Sequence, residues 1–301
     1  MLLNRQKILL SYIYLAGKIE SKTVLTKSVF LLCNEELKDE KLYDFLPYNF
    51  GPYSFCLNNI DVKSLENKGL VSVIKNRDRF SYGIKDKDSA EKIISSLEEK
   101  IISSVDNIYR KYGRLKAWEI KKYVYNKYPY FAIRNKKTAS LYSQNDPAND
   151  KRLQEVKIFT IGYEGKSIDK FLDELIKNNV KVLVDVRNNP KSMKYGFSGN
   201  ALKHYSEEVN VGYLHIPELG IESRFRQGLN GEKDYKKLFI LYKNKMLPQN
   251  YEKMKVLKNL IESKKRIALM CFEKDYKQCH RSILSEEFKN YCGNKYGVLH
   301  V

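Results

Sequence analysis

The sequence predicts two architectures in tandem: helices closed by a hairpin over residues 1–140, and alternating strands and helices over residues 156–301. In the first half, apolar residues recur at helical spacing until two short β-rich segments interrupt them. In the second half, apolar runs of strand length alternate with amphipathic stretches. Between the halves, Asn145-Asp146-Pro147-Ala148-Asn149-Asp150 is polar and aperiodic, which puts a linker over residues 141–155.

Residues 4–16 predict the first helix, with Ile8, Leu9, Tyr12, Ile13 and Leu15 on one broad face. Lys22–Leu37 predicts a second and Val62–Gly69 a third, the latter closed by Gly69 at a helix C-terminus. Residues 70–74 then read as a strand, Lys75-Asn76-Arg77-Asp78-Arg79 as a polar turn, and residues 80–84 as the returning strand. Helices followed by a hairpin with a basic tip are the pattern of a winged helix-turn-helix. Two more helices are predicted over 87–109 and 115–128, the second holding the only tryptophan, Trp118.

In the second half, strands are predicted at 156–161, 181–186, 212–216, 266–272 and 296–301. Helices are predicted at 168–178, around 247–263 and at 282–291. This alternation predicts a Rossmann-like α/β domain on a mostly parallel sheet covered on both faces. In such sheets the ligand crevice lies beyond the carboxyl ends of the strands.

The chain of 301 residues is long enough for two cores. Lys and Arg outnumber Asp and Glu by 55 to 36, a formal charge of +19 shared by both halves. That balance points to polyanionic partners, with nucleic acid, DNA before RNA, as the expected one. A generally Lys-rich background is the bland alternative. No apolar run reaches the ~18 residues that cross a bilayer, and no membrane partner is expected. Five scattered cysteines (Cys33, Cys56, Cys271, Cys279, Cys292) form no disulfide framework and fit a reducing cytoplasm.

Four strand ends carry polar residues. The first runs into Gly162-Tyr163-Glu164-Gly165-Lys166-Ser167 ahead of a helix, where two glycines let backbone N–H groups approach an anion. Gly165-Lys166-Ser167 ends like a P-loop, but Thr160 stands where that loop needs its upstream glycine, so no Walker motif is assigned. A plain tight turn with Ser167 as N-cap is the alternative. The second strand ends in Asp185-Val186-Arg187, two polar residues on one face. Either they pair with each other, or Arg187 grips a phosphate while Asp185 handles a proton. The third leads to His215 and on to Arg224 and Arg226. A packed histidine and a solvated cation pair are the plain readings there. The fourth gives Cys271-Phe272-Glu273 and then Cys279-His280-Arg281-Ser282 at a helix start. A cysteine there, beside Arg, has reasons to be a thiolate. His280 supplies or takes a proton, Arg281 holds an anion, and Glu273 faces the same crevice. The alternative is that both cysteines are small buried residues. The spacing of Cys271, Cys279, His280 and Cys292 matches no familiar zinc pattern, so no metal and no cofactor are expected.

These motifs carry a resemblance. Residues 157–301 resemble the domain-of-unknown-function 488 family in Thr160–Gly165, Leu183–Arg187 with Pro190 and Ser192, His215–Gly220, Leu269–Glu273, Cys279-His280-Arg281 and the closing Val298–Val301. Ile221 stands where the family commonly has glycine. The resemblance implies a Rossmann-like domain whose polar motif residues gather in one cleft, and little chemistry. The first half more loosely resembles winged-helix modules. Leu46–Ser54, with Gly51-Pro52-Tyr53-Ser54, resembles a segment of toxin–antitoxin-associated proteins.

The expected function is therefore an enzyme acting hydrolytically on nucleic acid, base- or nucleotide-directed and glycosylase-like. The winged-helix half delivers DNA through Lys75, Arg77, Arg79, Tyr48 and Tyr53. Asp185, Glu273, Cys279 and His280 are the catalytic candidates. Gly162, Tyr163, Glu164, Gly165, Arg187, Ser192, His215 and Arg281 are the substrate- or phosphate-binding ones. The alternatives are a non-catalytic DNA-binding regulator that senses a nucleotide or small anion, and a sulfur carrier with Cys279 as the persulfide site.

Overall fold

In the computed structural model, residues 2–77, 79–135, 137–151, 154–229 and 231–301 are described, with Arg226 and Glu232 described by backbone alone. Asp78 of the predicted hairpin turn, part of the predicted linker (Arg152 and Leu153) and the Arg226 side chain lie outside the described residues. The chain divides into two compact units, Met1–Asp146 and Pro147–Val301. The division falls inside the predicted linker, at the residue before a proline, where a helix cannot continue.

The first unit builds α1 (Asn4–Ala16), β1 (Lys18–Ile19) and α2 (Lys22–Leu31), whose last turn widens into a π-type turn over Leu32–Glu36. Ser21 caps α2 by accepting from the Thr23 and Val24 amides. A hairpin that the sequence reading missed follows, β2 (Leu46–Tyr48) and β3 (Gly51–Tyr53). Pro47 and Pro52 face each other across it, a pairing tolerated only in a short two-stranded ribbon. Then come α3 (Val62–Asn67), β4 (Val71–Asn76) and β5 (Arg79–Ile84). Strands β1, β5 and β4 form one antiparallel sheet in that order.

Helix α4 (Lys87–Ile94) stops early, and α5 (Glu99–Tyr112) starts afresh at Glu98. The single predicted helix over 87–109 is therefore two. Helix α6 (Ala117–Lys127) carries Trp118, which is exposed and packs no core. The core gathers Leu9 and Ile13 of α1, Leu25 and Phe30 of α2, Val105 of α5 and Val124 of α6. At its edge the buried Asp61 carboxylate is satisfied by Arg5 (2.6 Å), Gln6 (2.8 Å) and Tyr43 (2.8 Å).

The second unit runs β6 (Lys157–Gly162), α7 (Ile168–Lys177), β7 (Val182–Asp185), α8 (Gly199–Glu208), β8 (Gly212–His215), α9 (Glu232–Leu241), α10 (Leu247–Gln249), α11 (Glu252–Lys264), β9 (Arg266–Cys271), α12 (His280–Tyr291) and β10 (Gly297–His300). Its five strands form one parallel sheet, ordered β10-β6-β9-β7-β8. This is an α/β unit compatible with the Rossmann-like expectation. Helices α8 and α9 were not predicted, and α12 begins at His280, two residues earlier than expected, with Cys279 as the residue before it.

Burial on both faces makes β6 and β9 near-continuous apolar runs. Ile158, Val184, Ile267 and Leu269 pack with Leu257, Leu284 and Phe288 of α11 and α12. From β6 the chain crosses past β9 to β7, and from β9 it crosses the other way, past β6, to β10. The neighbouring strands β6 and β9 thus send their connections in opposite directions, the geometry that opens a crevice at their carboxyl ends. Among the described residues, no helix is long and apolar enough to cross a membrane.

Candidate functional site

The carboxyl ends of β6, β7 and β9 bring together most of the polar motif residues. Asp185 ends β7 fully buried. Its Oδ1 accepts from Arg187 N (3.1 Å) and Nε (2.8 Å), and its Oδ2 from Arg187 Nη2 (2.6 Å) and the Tyr213 hydroxyl (2.7 Å). Four donors saturate this carboxylate, so the geometry assigns Asp185 to holding Arg187 and not to proton transfer. Burial alone would lower the Arg187 pKa, but the paired carboxylate overrides it and raises it. The remaining Arg187 nitrogen, Nη1, donates to the Tyr163 hydroxyl at 3.1 Å, and that hydroxyl lies 3.5 Å from Ser192 Oγ. His215 Nε2 sits 2.8 Å from the Arg187 carbonyl, which only accepts, so that nitrogen carries the ring proton.

The glycine loop turns three of its backbone amides inward. The Tyr163 and Glu164 amides both donate to the Phe272 carbonyl (3.1 and 2.9 Å), and the Lys166 amide to the Tyr163 carbonyl. Ser167 caps α7 through the Lys170 amide, while Lys166 pairs with Glu174. Through these amides the loop fastens β6 to the end of β9. A Cβ at Gly162 would sit 1.8 Å from the Glu273 carbonyl oxygen and 3.1 Å from Arg281 Nη2. Glycine at this position is what lets the two strand ends close up.

On the β9 side, the Arg281 guanidinium is only 1% exposed. Nη2 donates to the Lys274 carbonyl at 3.0 Å, while Nε and Nη1 have no hydrogen-bond partner. A buried guanidinium with two unused nitrogens is costly unless an anion completes it. His300, ring-stacked on Tyr276 at 3.6 Å, is held below the usual histidine range by burial and then by the Arg281 charge. Glu164 Oε2 accepts from the Lys274 amide at 2.8 Å, and Glu273 is half-buried beside this turn. A cavity of about 200 Å³ opens between Arg187, Asn189, Lys191, Tyr163, Cys271 and Ser223.

Cys279 precedes α12 and is 1% exposed. Burial pushes its thiol well above the ordinary range, and neighbouring Cys271 adds to this. Arg281 pulls the other way and is outweighed. This burial works against the stabilised thiolate that its place at a helix start suggested. Its Sγ and the Cys271 Sγ each lie 3.8 Å from His280 Nδ1, and His280 Nε2 lies 3.2 Å from the Val186 carbonyl.

The first unit has a separate groove of about 650 Å³ between α2, the β2–β3 hairpin and the β4–β5 hairpin. Of the predicted contacts, Tyr48, Tyr53, Lys75 and Arg77 line it, whereas Arg79 is exposed outside it. Sequence reasoning missed Lys22, Lys27 and Phe80, which also line it. Lys22 Nζ sits 5.0 Å from the Tyr53 ring centre and 5.4 Å from that of Phe80. Lys27, 2% exposed, donates to the Phe50 carbonyl, and burial followed by the Lys121 charge pulls its pKa down to about 7. Gly51, at φ +106, leaves room for it, because a Cβ there would meet Tyr125 at 2.7 Å and Lys27 Nζ at 3.1 Å. No carboxylate lines this groove among the described residues.

Residues 167–288 match the family model described as a domain of unknown function, DUF488. The match covers β7, β8, β9, most of α12 and the Asp185, Arg187, Cys271 and Cys279–Arg281 cluster. The glycine loop and the closing strand lie beyond it. No curated protein and no solved structure matches the chain.

Proposed function

We propose that this is a nucleic-acid-binding enzyme, with DNA preferred over RNA, whose second unit hydrolyses a base or nucleotide linkage in the strand-end cleft. One observation carries the reading: the first unit's groove presents Lys22, Lys27, Lys75 and Arg77 among Tyr48, Tyr53 and Phe80 with no lining carboxylate. Cations track a phosphate backbone, and aromatic faces stack bases. The element order helix, β1, helix, α3, β4, β5, with sheet order β1-β5-β4, supports a winged-helix assignment for this unit. In the second unit, Arg281 with its unused nitrogens and Arg187 supply anion binding. Glu273, two residues past the end of β9, is the carboxylate for proton transfer.

The purified chain, incubated with single- and double-stranded DNA and RNA carrying plain or deaminated bases, tests this. Mass spectrometry should find a released base or a nick that the Glu273→Gln variant fails to produce. A specific observation favours a second reading: Asp185 is fully consumed by Arg187 and Tyr213. Unchanged substrates bound in a salt-sensitive, sequence-selective manner would support a regulator whose α/β unit senses an anion. No binding even at low salt would overturn both readings.

A further inference from the structure

We propose that Cys271, Cys279 and His280 bind one soft divalent cation of the zinc class at the floor of the strand-end cleft. The two sulfurs and one imidazole nitrogen lie within 4.8 Å of one another, and all three residues are buried. Among the described residues no fourth histidine, cysteine or carboxylate joins the group.

The donor geometry fits. With zinc–sulfur bonds near ~2.3 Å and zinc–nitrogen bonds near ~2.0 Å, a tetrahedral ion sets a sulfur-to-nitrogen edge of roughly 3.6 Å. Both sulfurs lie 3.8 Å from His280 Nδ1, so each sulfur-to-nitrogen edge is within a few tenths of an ångström of that value. The imidazole is already oriented for this. Its Nε2 proton is directed at the Val186 carbonyl at 3.2 Å, which leaves the Nδ1 lone pair facing both sulfurs.

Charge and position fit as well. A divalent cation replacing two thiol protons gives a site of zero net charge, the form that burial tolerates. In that step two S–H bonds break, two metal–sulfur bonds form, and both protons go to solvent. The imidazole changes no proton, and nothing is oxidised. Cys279 lies at the N-terminal end of α12, where the helix dipole favours its metal-bound thiolate. Three protein donors leave one vertex open, the arrangement of metal sites that hold a water or substrate oxygen. Cys271 borders the cavity that Arg187 and Tyr163 also line, which puts one of the three donors at its wall. The site stands on these contacts and does not depend on the nucleic-acid reading.

The test uses the full chain, stripped with a chelator under a phosphine reductant. Titration with zinc ion against a chromogenic chelator should show one equivalent bound, with two protons released per metal. Cobalt ion should give the thiolate charge-transfer band and the strong visible bands of a four-coordinate site. Both should vanish in Cys271→Ala and Cys279→Ser, and both should survive in a triple Cys33→Ser, Cys56→Ser, Cys292→Ser variant. Failure of the wild-type chain to bind one equivalent would overturn the proposal. So would a cobalt spectrum without the thiolate band, or binding that persists without Cys271 and Cys279. Proton release and the cobalt spectrum are read on the wild-type chain, so they decide the matter even if a cysteine variant does not fold.

Discussion

Lys27 and Gly162 are single residues on which a whole site depends. The Lys27 ammonium is buried between α2, Gly51 and Tyr125, and its pKa falls from 10.5 to about 7. The unfolded chain therefore binds more protons than the folded one between pH 7 and 10.5, and stability rises with pH through that window. Below pH 7 both states are protonated and the full cost of burying the charge is present. Lys27→Met should accordingly stabilise the fold most at pH 6, by at most about 3–5 kcal/mol, and progressively less toward pH 10. Urea denaturation at the two pH values measures this, and an equal effect at both would refute the assignment. At Gly162 the conflict is with backbone, since the added Cβ meets the Glu273 carbonyl oxygen at 1.8 Å. Gly162→Ala should cost on the order of 3 kcal/mol or more, read as a lowered denaturation midpoint. A neutral outcome would mean that β6 and β9 do not close in this way.

At the scale of elements, β7 and the turn after it act as one unit. Arg187, 5% exposed, depends on Asp185 for two side-chain bonds and its counter-charge. Asp185→Asn leaves that guanidinium uncompensated and should destabilise by about 3–5 kcal/mol. Adding Arg187→Met should restore much of the loss. A double variant no better than the single one, in a denaturation cycle, would count against the pairing as the dominant role. What the sequence disclosed about the elements follows the same physics. Strands β6 and β9 were legible because burial on both faces makes them apolar runs. The β2–β3 hairpin was not, because Pro47 and Pro52 argue against strands and its pairing is only three residues long. Asp185, Arg187 and Arg281 were legible as candidates from their place at strand and helix ends, but not the saturation of Asp185, which needs Tyr213 from the neighbouring strand. Lys27 was hidden because a lysine inside a helix reads as solvated. The convergence of Cys271 and Cys279 on His280 depends on how the turn after β9 folds back, which no spacing rule encodes.

For the molecule as a whole, the proposed nucleic-acid reading assigns different parts to the +19 charge, which attracts a polyanion, and to the groove, which is where it would be held. Charge spread over the surface gives non-specific attraction, screened beyond about 8 Å at physiological salt. Cations gathered in one groove instead displace a fixed number of counterions. With Lys22, Lys75 and Arg77 each neutralising one phosphate, and Lys27 a fourth only where it is protonated, log K against log salt should fall with a slope of about −3 above pH 7 and about −4 below it on duplex DNA. Lys75→Ala with Arg77→Ala should make that slope shallower by about 2, whereas Arg79→Ala, outside the groove, should leave it nearly unchanged. The slope should also steepen as pH falls from 9 to 6, because Lys27 gains its proton near pH 7, and Lys27→Met should abolish that pH dependence. Fluorescence anisotropy across a salt series measures all of these. Equal slopes in the groove and surface variants would mean that the diffuse charge, and not the groove, does the binding.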